Sequence, residues 1–170
     1  MPSESNPEYQ IGTQDWTQPP DAMISALAER QHGVVARSQL LDAGLSQRQI
    51  QRRIAAKRLH RVHRGIYAVG HPILRREGWW MAAVLAGGAG AFASHRLAGA
   101  IWDVISWSGR PSVTVASWRA STPELELHTR SLPADEVTTR LGIAVTSVPR
   151  TLLDLAGVLD RHRLLNAINE

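Results

Sequence analysis

Apolar side chains at helical spacing predict two short helices near the start of the chain. The first is a helix of about ten residues that lies between Asp21, suited to capping its start, and Gly33, suited to ending it. The second spans about residues 37–43 and is expected to bury Leu40 and Leu41. Two valines at 34–35 predict a short extended link between these helices.

A third helix is predicted to begin after Ser46 and to run to about residue 58. Gln49 stands three residues after Ser46, which is the spacing of a capping box. The segment LHRVHRGIYAVG follows and predicts a β-hairpin with Arg64 and Gly65 at its turn, because β-branched or aromatic residues occupy both arms.

Pairing across a two-residue turn places Val62 opposite Tyr67 and puts Arg61 and His63 together on the other face. One face of the hairpin is then apolar and the other charged. Three short helices followed by a hairpin is the order of a winged helix-turn-helix, in which the third helix enters the major groove and the hairpin is the wing. We assign this DNA-binding domain to residues 21–72.

The remaining residues, 73–170, predict a small mixed α/β domain. Its elements are, in order, a helix over 74–86, a helix capped by Ser94, strands over 112–116, 124–129 and 143–146, a helix capped by Ser147, and a last helix from near Asp160. The chain as a whole is therefore predicted to be α+β. The polar, proline-bearing residues 1–20 have the composition of a disordered leader.

Charge is concentrated in the first of these domains. The whole chain has a net charge of +4, and all of its basic residues except Lys57 are arginine. Residues 21–72 contain nine basic and three acidic residues, which gives +6, whereas the rest of the chain has ten basic and twelve acidic residues, which gives −2. No acidic residue lies between Ser46 and Arg64, a stretch with seven basic ones. Such a local surplus is typical of a surface that binds nucleic acid.

Helical geometry separates two groups of candidate DNA-binding residues. Ile50 and Ile54 fix the buried side of the third helix, so the opposite face is free to enter a groove. Side chains able to pair with base edges are expected there, namely Arg48, Gln49, Gln51 and Arg52. Contacts to phosphates, or from the wing, are assigned to Arg53, Lys57, Arg58, Arg61, His63 and Arg64.

Two other interpretations of this pattern remain open. A helix with arginine and glutamine outside and isoleucine inside also describes a solvated amphipathic helix. In addition, winged helices serve in some proteins as protein-interaction modules.

The sequence gives little support for a metal site or for an enzyme active site. The chain has no cysteine, and its histidines at 60, 63 and 71 have no acidic residue nearby in sequence, so no metal or other cofactor is expected. His95 has no identifiable partner, and Glu124 and Glu126 are expected on a solvated strand face. No phosphate-binding loop is present, and the lone lysine lies in the DNA-binding helix, so we predict no enzyme.

The tryptophan positions and the hydropathy of the chain predict which aromatic residues are buried and whether a segment could span a membrane. Trp79, Trp80 and Trp102 are expected in the core, whereas one of Trp107 and Trp118 is a candidate for an interface. Residues 78–94 are uncharged but too few, and too rich in glycine, for a membrane span. Without a signal peptide at the start, a soluble, cytoplasmic protein is expected.

Four segments in order resemble the AbiEi family of antitoxins from type IV toxin-antitoxin systems. They are GLSQRQIQRRIAAKRLHRVHRGIYAV, ASHRLAGAIWDV, the alternating strands that follow, and VTSVPRTLLDLA, and together they cover residues 22 to about 160. The resemblance implies a repressor of its own operon that binds inverted repeats in double-stranded DNA. It also implies that the second domain opposes a nucleotidyltransferase-like toxin, without requiring a stable complex.

Chains similar to this one continue into a very-short-patch-repair-like endonuclease domain, whereas this sequence stops at Glu170 within a predicted helix. The alternative hypothesis is therefore a DNA-binding accessory region of an endonuclease-family protein. The helix that contains Arg150 and Asp154 is expected to be structural, with these two residues paired one helical turn apart. A role for this helix in toxin neutralisation is the second interpretation.

Overall fold

A computed structural model of the chain describes residues 20–107 and 109–169, and the side chains of 166–169 are not described. The predicted leader therefore lies outside the described residues, except for Pro20, which begins the first helix. No helix within the described ranges is long and apolar enough to cross a membrane.

The first part of the chain folds as the predicted winged helix-turn-helix. Its elements are α1 (Pro20–Arg30), β1 (Val34–Ala36), α2 (Arg37–Asp42), α3 (Gln47–Ala55), β2 (Leu59–His63) and β3 (Ile66–Val69). The valine link is more than a connection, because β1 pairs with β3 and completes an antiparallel sheet in the order β1-β3-β2. A strand of three residues carries too little periodicity for its pairing to be predicted from sequence.

The wing departs from the predicted register. His63 pairs with Ile66 beside the turn, as a two-residue turn requires, but Arg61 then lies opposite Tyr67. Val62 is the extra residue of a β-bulge at this point. The prediction that Val62 faces Tyr67 is therefore wrong, and Arg61 and His63 do not share a face as expected.

The bulge has a packing reason, because both faces of this sheet are covered. Val35 and Tyr67 face the three helices and share a core with Leu40 and Ile50. Val34, Ala36 and Ile66 face the other way and belong to the core of the second part, against which Val62 also packs. The expectation of one apolar and one charged face is thus wrong as well.

The second part is a mixed α/β unit around a five-stranded sheet. Its elements are α4 (Arg76–Gly87), β4 (Phe92–Ala93), α5 (His95–Ile101), β5 (Ser112–Val115), β6 (Glu126–Thr129), a 3-10 turn (Ala134–Glu136), β7 (Val137–Arg140), β8 (Ile143–Thr146), α6 (Val148–Ala156) and α7 (Arg161–Asn169). The strand order is β6-β5-β4-β8-β7, with parallel β4–β8 and β5–β6 pairs and antiparallel β4–β5 and β7–β8 pairs. These two sheets and seven helices confirm the α+β class.

Helix α4 joins the two parts, since it packs against all three strands of the wing sheet and against β4, β5 and β8. Trp80, Met81 and the alanines after them are buried between the sheets. A backbone this close leaves no room for a side chain at Gly78, where a Cβ atom would lie 2.7 Å from the carbonyl oxygen of His32. The DNA-binding part is therefore held against the second part by a continuous core.

Two burial predictions from the sequence are wrong, and so is the predicted capping of a helix by the side chain of Ser147. Leu41 and Trp79 were expected inside, but 39% and 41% of their surfaces are exposed. Ser147 begins α6 without a side-chain hydrogen bond, and its backbone N–H donates to the carbonyl oxygen of Glu136 instead. Trp80 is buried as expected, whereas Trp102 is only partly buried against the same core. The indole N–H of Trp102 donates to the carbonyl oxygen of Thr146 at 2.8 Å.

Candidate nucleic-acid interface

Helix α3 is fixed at its start by the predicted capping box. The backbone N–H of Gln49 donates to Oγ of Ser46 at 3.2 Å, and the N–H of Ser46 donates to Oε1 of Gln49 at 2.7 Å. Ile50 anchors the opposite side and is 1% exposed. The helix is thus held at its N-terminus, the end at which a recognition helix contacts bases.

The outward face of α3 carries the predicted base-reading residues. Arg48, Gln51 and Arg52 are all exposed. Across the described ranges, neither arginine has a hydrogen-bond or ion-pair partner within the chain. Both guanidinium groups are available for bidentate hydrogen bonds to O6 and N7 of guanine.

Two of the assigned residues are already engaged within the protein. The side-chain oxygen of Gln49 is used by the capping box, which leaves only its NH2 group for a base. Arg53 binds Asp21 of α1 through Nε and Nη2 at 2.9 and 2.8 Å, and its side chain is only 18% exposed. Arg53 therefore lies between α1 and α3, and its side chain is less exposed to solvent than those of Arg52 and Lys57.

The C-terminal end of α3 presents two further cations. The helix ends at Ala55, two to three residues earlier than predicted, and Lys57 follows in the left-handed region with φ of 54°. Its side chain and that of Arg58 are exposed. Nη1 of Arg58 lies 3.6 Å from Oδ2 of Asp21, which is a weak ion pair because the Arg58 side chain is 69% exposed. Both residues extend the positive surface away from the capped end of the helix.

The wing contributes two exposed arginines and one enclosed histidine. Arg61 and Arg64 are exposed on β2 and at the turn. His63 is half-buried and lies edge-on to Trp79 of α4, with 6.4 Å between ring centroids. Burial lowers the pKa of His63, and the nearby charge of Glu124 opposes this only in part. A neutral, packed imidazole of this kind supports the wing and is a poor phosphate ligand.

Sequence analysis missed one cation beside the wing. The backbone N–H of Arg37, at the start of α2, donates to the carbonyl oxygen of Gly65 at 2.7 Å, so Arg37 lies against the wing turn. This hydrogen bond couples residues 28 positions apart in the chain, and no local pattern reports it. The side chain of Arg37 is half-buried, and its Cβ atom would lie 3.9 Å from a Cβ atom added at Gly65.

The interface contains no arrangement suited to a resident metal. Among the residues that the structure describes, no group of three or more histidine, aspartate or glutamate side chains is placed to hold a metal ion. The chemistry of this surface is therefore that of arginine, lysine and glutamine donors on a helix and a hairpin.

Comparison with known families agrees with this geometry. The sequence model of a family described as transcriptional regulator, AbiEi antitoxin, matches residues 23–70. No curated protein matches the chain. The matched segment runs from α1 to the end of the wing and contains every residue assigned to base or phosphate contacts. Residues 23–70, the winged helix-turn-helix of this chain, are thus similar in sequence to the AbiEi antitoxin transcriptional regulators.

Proposed function

We propose that the chain is a sequence-specific DNA-binding regulator of antitoxin type that represses its own operon. The observation that carries this proposal is the pair of exposed, unengaged arginines on α3, Arg48 and Arg52, on a helix that the capping box and Ile50 hold in place. A helix that served only as a solvated surface would have no need for an acid-free face with guanidinium groups one turn apart.

Base reading and phosphate binding fall to different parts of this surface. Arg48, Gln51 and Arg52 read base edges in the major groove, and the NH2 group of Gln49 is a fourth donor. Lys57, Arg58, Arg61 and Arg64 bind phosphates on either side, which sets affinity and its dependence on salt. Arg53 and His63 act indirectly, by positioning α3 and the wing.

We infer the symmetry of the operator and the nature of the toxin from the resemblance to AbiEi antitoxins. A regulator of this type binds inverted repeats as a pair of chains, each with α3 in one major groove. The cognate toxin is a nucleotidyltransferase-like protein encoded beside it. The DNA-binding part is packed on the second part through α4, so one chain can hold both the repressor and the antitoxin function.

Binding to the chain's own promoter tests the DNA-reading assignment. Fluorescence anisotropy with the promoter and with shuffled DNA of equal length measures both affinities. We expect Arg52→Ala to weaken promoter binding by about 1 to 3 kcal/mol and to affect shuffled DNA much less. Lys57→Ala is expected to weaken both equally and to reduce the slope of log K against log salt by about 1.

The control variant is Arg161→Ala, which removes an exposed arginine from α7 in the second part. It is expected to leave both affinities unchanged. If Arg52→Ala and Lys57→Ala reduce binding to promoter and shuffled DNA alike, α3 does not read bases.

The genomic neighbourhood tests the antitoxin assignment separately. An adjacent gene for a nucleotidyltransferase-like protein, toxic when expressed alone and harmless with this chain, supports it. An in-frame endonuclease segment downstream, with no toxic neighbour, contradicts it.

A further inference from the structure

A polar cavity of about 500 Å³ lies in the second part of the chain, between β5, β6 and α6. Its lining includes His95, Thr114, His128, Arg130, Arg150 and Asp154. A volume of this size is in the range of small-molecule sites. The DNA-binding residues of α3 and the wing do not line it.

His95 is held in this cavity by contacts that its sequence neighbourhood does not reveal. Its ring stacks on that of His128, with 3.8 Å between centroids and 13° between planes. Its Nδ1 lies 3.0 Å from Oγ of Ser94, which in turn accepts a hydrogen bond from Oγ1 of Thr114 at 2.8 Å. The prediction that His95 has no partner is therefore wrong.

The backbone at His95 is also unusual. Its φ of 47° is in the left-handed region, which non-glycine residues adopt at a cost and which is frequent at functional sites. The stacked partner has a buried Nε2 atom that makes no hydrogen bond to any described residue. Its nearest charged neighbour is the carboxylate of Glu126, which lies 3.8 Å away and therefore makes no hydrogen bond to it.

Arg150 forms a rigid wall of the same cavity. It binds Oδ1 of Asp154 through Nε at 3.0 Å and Nη2 at 2.6 Å, and it donates to Glu136 through Nη1 at 3.3 Å. The side chains of Arg150 and Asp154 are 9% and 6% exposed, so this pair is built into the fold. Both carboxylates raise the pKa of Arg150, mainly through its hydrogen bond to Asp154.

The charges that line the cavity favour an anion. Within the described lining, Arg130 and Arg150 contribute two positive charges and Asp154 one negative charge, which gives a net charge of +1, and each neutral imidazole contributes one N–H donor. Asp154 is the one acidic residue of the described lining, and Arg150 already binds it. A metal ion is disfavoured, since two guanidinium groups would repel it and the described residues include no metal-ligand cluster.

We propose that this cavity binds a phosphate group, carried either by a small ligand such as a nucleotide or by the end of a nucleic-acid strand. The exposed Arg130 can pair with phosphate through two parallel hydrogen bonds, and a neutral histidine can donate to it through its single N–H. Glu126 sits behind His128, where it accepts a hydrogen bond from Oγ of Ser112 at 2.7 Å and lies 3.8 Å from Nε2. Glu136 likewise backs Arg150. Neither carboxylate belongs to the described lining of the cavity.

Histidine resonances report binding directly. The full chain, labelled with ¹³C, is titrated with inorganic phosphate, with AMP, and with a single-stranded tetranucleotide that has or lacks a 5′-phosphate. The expected result is a saturable shift of the Cε1–H signals of His95 and His128, with those of His60 and His71 unchanged. Equal affinity for AMP and the phosphorylated tetranucleotide points to a free nucleotide, and tighter binding of the latter points to a strand end.

Variants at the cavity mouth keep the proposal testable without disturbing the core. Arg130→Ala is expected to weaken phosphate binding about tenfold, the loss typical of one hydrogen bond to a charged group. Arg163→Ala, which removes an exposed arginine outside the cavity, is expected to change nothing. Shifts that never saturate, that spread over all histidines, or that are equal in Arg130→Ala and Arg163→Ala would overturn the proposal. None of these results depends on α3, so they are independent of the DNA-binding assignment.

Discussion

Arg53 of α3 donates two hydrogen bonds to one carboxylate oxygen of Asp21 in α1, at 2.9 and 2.8 Å. This contact ties the recognition helix to the first helix across 32 positions of sequence. It also withdraws one positive charge from the DNA-facing surface, and Arg58 is drawn weakly to the same carboxylate. Asp21 therefore governs how much positive charge α3 presents.

Replacing Asp21 should raise affinity for DNA of any sequence. In Asp21→Asn, Arg53 and Arg58 are released to phosphates, so we expect tighter binding to shuffled DNA and a slope of log K against log salt steeper by about 1 to 2. The free energy of unfolding should fall by less than about 1 kcal/mol, because Asp21 is more than half exposed. Asp42→Asn is the matched control, since it removes an exposed acid of the same domain. An equal gain in both variants would mean that only net charge matters.

Lys57→Gly should separate stability from binding. The left-handed backbone at Lys57 suits glycine, so this substitution is expected to raise the free energy of unfolding by about 0.5 to 1 kcal/mol. It should at the same time weaken binding to all DNA, because a phosphate contact is lost. Urea denaturation and anisotropy measure the two effects.

The comparison variant for this prediction is Lys57→Ala, which removes the charge and keeps the strained backbone. It should weaken DNA binding as much as Lys57→Gly does, with no gain in stability. A gain of equal size in both variants would show that the backbone conformation is not the cause.

Gly78→Ala should loosen the packing of α4 on the DNA-binding part. The added methyl group would lie 2.7 Å from the carbonyl oxygen of His32, in the turn before β1, and 3.3 Å from the side chain of Leu74. Neither this turn nor α4 can move without disturbing the shared core. We expect a loss of about 1 to 3 kcal/mol in the free energy of unfolding. Gly157→Ala, whose methyl group meets its nearest atom at 3.5 Å, should be tolerated. Comparable thermal denaturation curves for the two variants would contradict the close approach.

Acid should destabilise the protein through two enclosed histidines. Burial lowers the pKa of both His63 and His95 below the ordinary value of 6.5. The charges facing His95 act in both directions, since His128 and Arg150 lower its pKa while Asp154 and Glu126 raise it. The unfolded chain therefore binds more protons than the folded one as the pH falls below about 6.5, and the free energy of unfolding decreases with it.

Denaturation at a series of pH values measures this dependence. His95→Gln should flatten the decline between about pH 7 and pH 5, because the glutamine does not titrate in this range. His60→Gln, on the half-exposed part of β2, serves as the control. A curve for His95→Gln that parallels that of the unmodified chain would contradict the assignment.

Local patterns were sufficient wherever one segment determined its own structure. The Ser46–Gln49 capping box and the burial of Ile50 depend on residues within one helical turn, and both were predicted correctly. The outward placement of Arg48 and Arg52 followed from the same periodicity. The order of three helices followed by a hairpin was likewise predicted from the sequence pattern.

Features that depend on the packing of distant segments were not predictable. The bulge at Val62 arises because this side chain and His63 both meet the second part of the chain, one in its core and the other at Trp79. The two-residue strand β4 is too short to leave a periodic signal. The His95–His128 stack joins residues 33 positions apart, so no local sequence pattern could predict that these two rings are in contact.

The wing sheet has no solvent-facing side, and this limits how the chain can be divided or recombined. A fragment cut at residue 72 would expose Val34, Ala36 and Ile66 to water as an apolar strip on the back of the wing, and such strips promote association. Any exchange of this DNA-binding unit between proteins, in evolution or in the laboratory, therefore has to carry α4 with it. The unit that has to be exchanged is therefore larger than the surface proposed to contact DNA.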